Sequence, residues 1–369
     1  MDGERLLQTL LDLCRIPSPS GQEGRIAAYI RARAAALGLA VEEDGAGQLL
    51  GSDTGNLLVR VPGRGEPLFF SAHMDTVPVP SGLAEISLIQ AEDRVHTGGA
   101  SVLGYDDKGG VAAMLELAEV AVANKVETLP LELIFTIQEE RGLRGSRVFD
   151  ASRLQARSGF VLDNESGVGS CLHAQPAKIS FALEVHGKAA HAAVAPEQGI
   201  NAIKVLGAII NELPTGKIDP ETVMNLGKVE GGGASNVVPD LAVLTGEIRS
   251  LDEHKCQALI SRLQQTAETV AAGFNATITF QWETLYTMYR IPPVTRCARL
   301  FDAACQAEGV PARYEESLGG SDANNFNQKG LICLNVGLEM NNIHSPAEFM
   351  LPSQLLRAMR MLEHMIHSA

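Results

Sequence analysis

Apolar residues recur along the first part of the chain in two alternating rhythms. Leu6, Leu7, Leu10, Leu11 and Leu13 follow helical spacing, and this spacing predicts helices near residues 4–15, 22–38 and 108–124. Between them, short aliphatic runs predict strands near 56–61, 67–73, 131–138 and 158–163. That alternation indicates an α/β sheet layer with helices on its faces. After Gln175-Pro176 the texture changes. A strand (178–186), a helix (199–213), two strands (223–230 and 240–249), a helix (252–273) and a strand (276–284) spell βαββαβ, the split arrangement of ferredoxin-like α+β domains. From about 287 the chain resumes helix, strand, helix, strand, helix, and its last apolar segment, Leu351 to Ser368, returns it to the first domain. The expected organisation is a mixed-sheet α/β/α domain built from residues 1–175 and 287–369, with a smaller domain, 176–286, inserted into it.

Composition narrows the function classes. A chain of 369 residues, 45% hydrophobic and with a mean hydropathy of +0.05, can bury a large core and is too long for one compact domain by the usual prior. A net charge of −14 and a pI near 5.1 disfavour nucleic acid or an anionic membrane as partner, since no basic patch would hold either. Cys14, Cys171, Cys256, Cys297, Cys305 and Cys333 are dispersed, without a Cys-x-x-Cys pair, so buried free thiols in a reducing cytoplasm are expected. The start Met1-Asp2-Gly3-Glu4-Arg5 lacks a signal peptide's basic start, and no apolar run approaches the ~20 residues of a membrane span. Gly231-Gly232-Gly233 reads as a flexible turn, because no Lys-Ser/Thr and helix follow it, and Gly109-Gly110 lacks the spacing of a nucleotide fingerprint.

The chemistry gathers at strand ends. His73-Met74-Asp75 follows the apolar run Leu68 to Ala72, Glu139-Glu140 follows Leu131 to Ile137, and Asp163 closes Gly159 to Leu162. Open α/β sheets place their ligands at the C-terminal ends of strands. Taken singly, a His-x-Asp reads as a loop with a capping aspartate and a Glu-Glu pair as a solvated turn. Together with Asp106 and His344 they read as a two-metal site of nitrogen and carboxylate ligands. Without thiolates, such a set suits zinc, cobalt or manganese, ions that activate water.

These stretches resemble the M20 co-catalytic zinc metallopeptidases, and within them the peptidase T-like branch. The matching segments are Ser71-Ala72-His73-Met74-Asp75-Thr76-Val77-Pro78, Gly104-Tyr105-Asp106-Asp107-Lys108-Gly109-Gly110 and Gln138-Glu139-Glu140-Arg141-Gly142-Leu143. Further on come Gly187-Lys188-Ala189-Ala190-His191-Ala192, Ala195-Pro196-Glu197, Ser235-Asn236-Val237-Val238-Pro239-Asp240, Gly319-Gly320-Ser321-Asp322-Ala323-Asn324 and Asn342-Ile343-His344. They stand in the family's order across nearly the whole chain.

The resemblance implies roles. His73 ligates one divalent ion and His344 the other, Asp106 bridges both, and Glu140 and Asp163 complete the two shells. Asp75 is the acid that orients the His73 imidazole, and Glu139 is the general base toward a metal-activated water. The Asp106–Asp107 peptide is implied to be cis. In the inserted domain, a lid and dimer surface, His191 reaches a neighbouring subunit's site to stabilise the oxyanion, and Asn236, Arg249 and Gly320 contact substrate. A structural Arg249 on the outer face of its strand is the other reading. Tyr105 departs from the family, where many relatives carry a small residue; it either narrows the pocket or packs. His96, His173, His186, His254, His364 and His367 match no ligand motif.

The implied function is a metal-dependent peptidase acting on small peptides, most like the tripeptide aminopeptidases, as a cytoplasmic homodimer with two divalent ions per chain, zinc first. A carboxypeptidase or N-acyl amino acid deacylase is the alternative, because one scaffold supports several amide substrates. A non-catalytic binding homologue would have lost the base or a ligand, and none is lost.

Overall fold

The computed structural model describes residues 1–124 and 128–367. The chain divides into two compact units, one of residues 1–174, 290–316 and 321–369, the other of 175–289 and 317–320. The inserted unit thus runs to Tyr289, a little past the expected 286. It also takes in Ser317–Gly320, a short Gly-containing stretch that no change of periodicity marks. The last helix, Pro352–Ile366, is shorter than the pattern predicts, and Ser368 lies outside the described residues.

In the first unit the main sheet runs in the order Val41–Glu43, Leu57–Val61, Leu131–Thr136, Leu68–His73, Ser158–Asn164, Ile332–Gly337 and Ser170–Gln175, with Arg313–Glu316 beside the last. The four strands from Leu131–Thr136 to Ile332–Gly337 pair parallel, whereas the flanking pairs with Leu57–Val61 and Ser170–Gln175 are antiparallel. Every residue of Leu68–His73 and Leu131–Thr136 is buried, as expected of strands covered on both faces. Their register sets His73 opposite Thr136 and Phe70 opposite Phe160, whose rings lie 5.5 Å apart. The C-terminal ends of the parallel strands therefore share one rim of the sheet.

Helix Tyr105–Ala123 covers this sheet and is buried over most of its length. Its first turn is irregular: Asp106 and Asp107 have non-helical dihedrals, and the peptide between them is cis. Gly110 permits the close approach. A Cβ there would meet Asp107 Oδ1 at 2.4 Å, the Leu162 carbonyl at 2.8 Å and Ala72 Cβ at 3.0 Å. Tyr105 is packed, with 1% of its surface exposed, and its hydroxyl donates to the Leu338 carbonyl at 3.0 Å. Several short elements escape the sequence pattern, among them the strands Val41–Glu43 and Ser170–Gln175, the helices Ala46–Leu50 and Arg144–Val148, and the hairpin Ile89–Ala91/Arg94–His96, which pairs with Phe349–Met350.

The second unit is a five-stranded antiparallel sheet in the order Gly216–Asp219, Thr222–Gly231, Leu241–Ser250, Ala177–His186 and Thr277–Tyr286, carrying helices Ala202–Glu212 and Glu253–Gly273. Strand Ala177–His186 alternates strictly between buried and half-buried positions. Ile179, Phe181, Leu183 and Val185 face a core shared with Val205, Ile209, Ile260 and Leu263 of the helices. Gly216–Asp219 is a strand that the βαββαβ reading lacks. All six cysteines of the two units are free and buried.

Candidate metal centre

Strand Leu68–His73 ends on an imidazole because the chain leaves the sheet there. His73 Nδ1 meets the Asp75 carbonyl at 2.9 Å, which leaves Nε2 facing Asp106 Oδ1 at 3.1 Å and Asp163 Oδ1 at 3.9 Å. The other oxygen of Asp106, Oδ2, lies 3.0 Å from Nε2 of His344. His344 Nε2 is in turn 3.1 Å from Glu140 Oε1, a buried oxygen that makes no hydrogen bond. Two ligand groups follow, His73 with Asp106 and Asp163, and His344 with Asp106 and Glu140, each with its atoms within 4.8 Å of one another. Asp106 is the member common to both. Glu139 falls in a further group with His73 and Glu140.

The neighbours of these groups hold their aim. Asp107 accepts from the His73 amide at 3.1 Å and the Gly110 amide at 3.1 Å, tying strand end to helix start. Glu348 is 2% exposed and accepts from the amides of Gly104 at 2.8 Å and Asp106 at 3.3 Å, so the segment that supplies His344 also grips the backbone of Asp106. Asn335, on the adjacent strand, clips Asp163 with its side-chain amide: Oδ1 accepts from the Asp163 N–H at 3.0 Å and Nδ2 donates to the Asp163 carbonyl at 2.5 Å. The Asp75 carboxylate accepts from the amides of Glu139 at 2.9 Å and Glu140 at 3.2 Å and from the Ser20 hydroxyl at 2.6 Å. Its nearest approach to the His73 ring is 3.6 Å. The imidazole thus leans on the backbone carbonyl of Asp75, and the carboxylate holds the Glu139-Glu140 turn. Gln138, entering that turn, has a left-handed φ of 50°, and its N–H donates to buried Glu23 at 3.1 Å. Sequence reasoning missed Glu348, Asn335, Glu23 and Ser20. Glu348 alone left a signal, an acid directly before the apolar Phe349-Met350-Leu351.

Burial without solvent makes the acids compete for protons. Burial raises Glu139 well above the carboxylate range, and the charges of Asp163, Asp322 and Glu140 add to it. Asp163 is raised for the same reason, burial first and then Asp106 and Asp107. Asp106 is the exception: burial would raise it, but bonds from His344 and His73 outweigh that and hold it below its ordinary value. The carboxylates of Asp106 and Glu140, 3.0 and 3.1 Å from its Nε2, push His344 up to about 11. Burial opposes charge on His73, yet Asp106, Asp75 and the nearby carboxylates raise it well above the usual imidazole range. Acids buried wholly or in part, gathered between buried His73 and exposed His344 and including an orphaned carboxylate oxygen, fit divalent cations, which would neutralise them without protons.

The remaining predicted residues belong to the second unit. His191 is exposed, and its Nδ1 accepts from the amides of Ala193 and Val194, both at 3.2 Å, which leaves the ring proton on Nε2. Asn236 is exposed, and its carbonyl accepts from the Ala192 amide at 3.0 Å, joining the two loops. Arg249 donates to Glu247 at 2.8 Å and to the Leu318 carbonyl at 3.3 Å. At Gly320 a Cβ would meet the Tyr286 hydroxyl at 2.3 Å, so packing alone demands glycine there.

Residues 56–174 match the model of peptidase family M28, and residues 174–275 match that of the peptidase dimerisation domain of the M20 proteins. The uncharacterized protein YqjE of Bacillus subtilis is 32% identical over 99% of this chain and 98% of its own. A tripeptidase from Staphylococcus aureus superposes with a TM-score of 0.93 at 28% identity, covering 99% of this chain and 98% of that one. The aminopeptidase PepT from Bacillus cereus gives 0.89 at 29% identity, over 99% and 98%. With these likenesses spanning the whole chain, and two imidazoles converging on one aspartate at the sheet rim, the protein belongs to the M20 family, in its peptidase T-like branch, and is a metallopeptidase.

Proposed function

We propose that the enzyme removes the N-terminal residue from small peptides, tripeptides foremost, using two divalent ions held by His73, Asp106 and Asp163 on one side and His344, Asp106 and Glu140 on the other. The observation that carries the chemistry is the position of Asp106, with one carboxylate oxygen 3.1 Å from His73 and the other 3.0 Å from His344. A shared carboxylate offsets the repulsion between two close cations. Support for the substrate class comes from the end-to-end likeness to the Staphylococcus aureus tripeptidase. Zinc is the first expectation for this donor set, with cobalt or manganese as alternatives.

Divalent ions in such a site polarise a carbonyl and make water acidic. The residues do the rest. Glu139, whose carboxyl burial raises well above its ordinary range, takes the proton of the attacking water and returns it to the leaving amine. Asp75 fixes the turn on which Glu139 and its ligand neighbour Glu140 sit. His191, with its proton on Nε2, donates to the developing oxyanion from the partner subunit of a homodimer formed through the second unit. Asn236, Arg249 and Gly320 border the substrate. A cytoplasmic location accords with free buried thiols and with the lack, among the described residues, of a helix able to cross a membrane.

The test is a substrate panel. The purified, metal-loaded enzyme is incubated with tripeptides, dipeptides, C-terminally extended peptides and N-acetyl amino acids, and release of free amine is followed. Tripeptides should be cleaved fastest, at the first bond. Hydrolysis confined to N-acetyl amino acids, or to C-terminal bonds, would reassign the enzyme to the deacylase or carboxypeptidase reading.

A further inference from the structure

A groove of about 550 Å³ opens beside the ligand cluster, within the size range of small-ligand pockets. Two strands that deliver metal ligands supply its walls. The chain that leaves His73 continues as residues 77–83, and the turn after Leu131–Thr136 contributes Glu140 and Arg141. Pro17 and Pro19 also line it. One stretch of the lining, Val77, Pro78, Val79 and Pro80, is apolar and stiff, since proline fixes its own φ.

Of its polar side chains, the Ser20 hydroxyl donates to Asp75 and Glu140 faces His344, while Gln22 and Ser81 are exposed. Arg141 is the only basic residue of the lining. It is exposed, and among the described residues its guanidinium has no hydrogen bond and no ion pair. In a chain with 44 acidic side chains against 30 basic ones, acidic partners are plentiful, and Arg5, Arg33, Arg60 and Arg153 all have them. A planar guanidinium in a groove that also offers this apolar stretch matches a ligand with a short apolar stem and a terminal carboxylate. No lining acid other than Glu140 would repel it.

We infer that this groove is a specificity subsite for an acidic side chain, glutamate or aspartate, next to the scissile bond of the peptide, with Arg141 as its counter-ion. The inference rests on the peptide-substrate reading above. The experiment compares kcat/KM for three pairs of tripeptides, alanine at two positions and glutamate or its neutral isostere glutamine at the third, with wild-type, Arg141→Ala and Arg141→Glu enzymes. The glutamate-to-glutamine ratio within each protein is the readout, so any general loss of activity cancels. At one position the wild type should favour glutamate about fivefold, the upper range for a partly solvated ion pair. Arg141→Ala should bring that ratio to about one, and Arg141→Glu should invert it. Peptides cleaved with a ratio near one in all three enzymes, or a preference that survives Arg141→Glu, would overturn the subsite and leave the peptidase reading intact. If no tripeptide is cleaved, the substrate reading fails by itself. The subsite is then judged by calorimetric binding of N-acetylglutamate and N-acetylglutamine to the metal-loaded Glu139→Gln protein. A preference for the acid that disappears on adding Arg141→Glu supports it, and equal binding overturns it.

Discussion

Glu139 and Glu140 are adjacent and both lie near His73, but only Glu140 also meets His344, with one oxygen 3.1 Å from its Nε2. Glu139→Gln should therefore lower kcat by about 10²- to 10⁴-fold, the usual cost of losing a general base, while metal content measured by elemental analysis stays at two equivalents. A variant with near wild-type turnover would force the base to be reassigned. Asp106→Asn should act differently and lower occupancy. Protons compete with metal for the same atoms, because among the proposed ligands His344 is pushed up to about 11 and Asp163 is raised as well. Ligation needs the deprotonated forms, so metal binding releases protons and apparent affinity must rise with pH. Titration with a metal indicator at several pH values should give tighter binding at the higher pH; a flat profile would contradict the assigned ligands. Glu348→Gln tests the grip on Asp106. It turns an amide N–H₂ toward a backbone donor, at a cost of about 1–3 kcal/mol, and should weaken metal binding in step with thermal stability.

At the scale of elements, the approach of helix Tyr105–Ala123 to the strand ends depends on Gly110. Gly110→Ala should destabilise the fold by about 1–3 kcal/mol through overpacking and should lower metal occupancy as well, because Asp107 is the first atom group displaced. Denaturant unfolding and elemental analysis on one preparation would read both. Elements with strong periodicity were legible in advance: Leu68–His73 and Leu131–Thr136 are apolar at nearly every position, and Ala177–His186 alternates. Ser170–Gln175 was not, because Ser-Cys-Leu-His-Ala-Gln offers few large apolar side chains, and hairpin Ile89–His96 has mostly exposed residues and so carries no burial pattern. Likewise the ligand types could be read at strand ends, but which acid meets which imidazole is a contact between distant segments. Family resemblance supplied that pairing. The carboxylate contacts of Asp75 with backbone amides leave no trace in residue order.

For the whole molecule the decisive experiment concerns His191, which belongs to the inserted unit, whereas all five proposed ligands belong to the other. If it serves a partner's site, His191→Ala should lose about 10²- to 10³-fold in kcat and remain fully metallated. Mixing it with Glu139→Gln under subunit exchange should restore activity, because one site of each heterodimer then has both wild-type groups. No recovery despite verified exchange would confine His191 to its own chain or remove it from catalysis. The interleaving of the chain has a temporal side too. Strand Ile332–Gly337 lies between Ser158–Asn164 and Ser170–Gln175, in the interior of the sheet, and His344 follows it. A polypeptide still emerging from the ribosome lacks that strand and one imidazole until the whole inserted unit has been translated, since both follow it in the chain. The two ligand groups can therefore come together only after the inserted unit has been made.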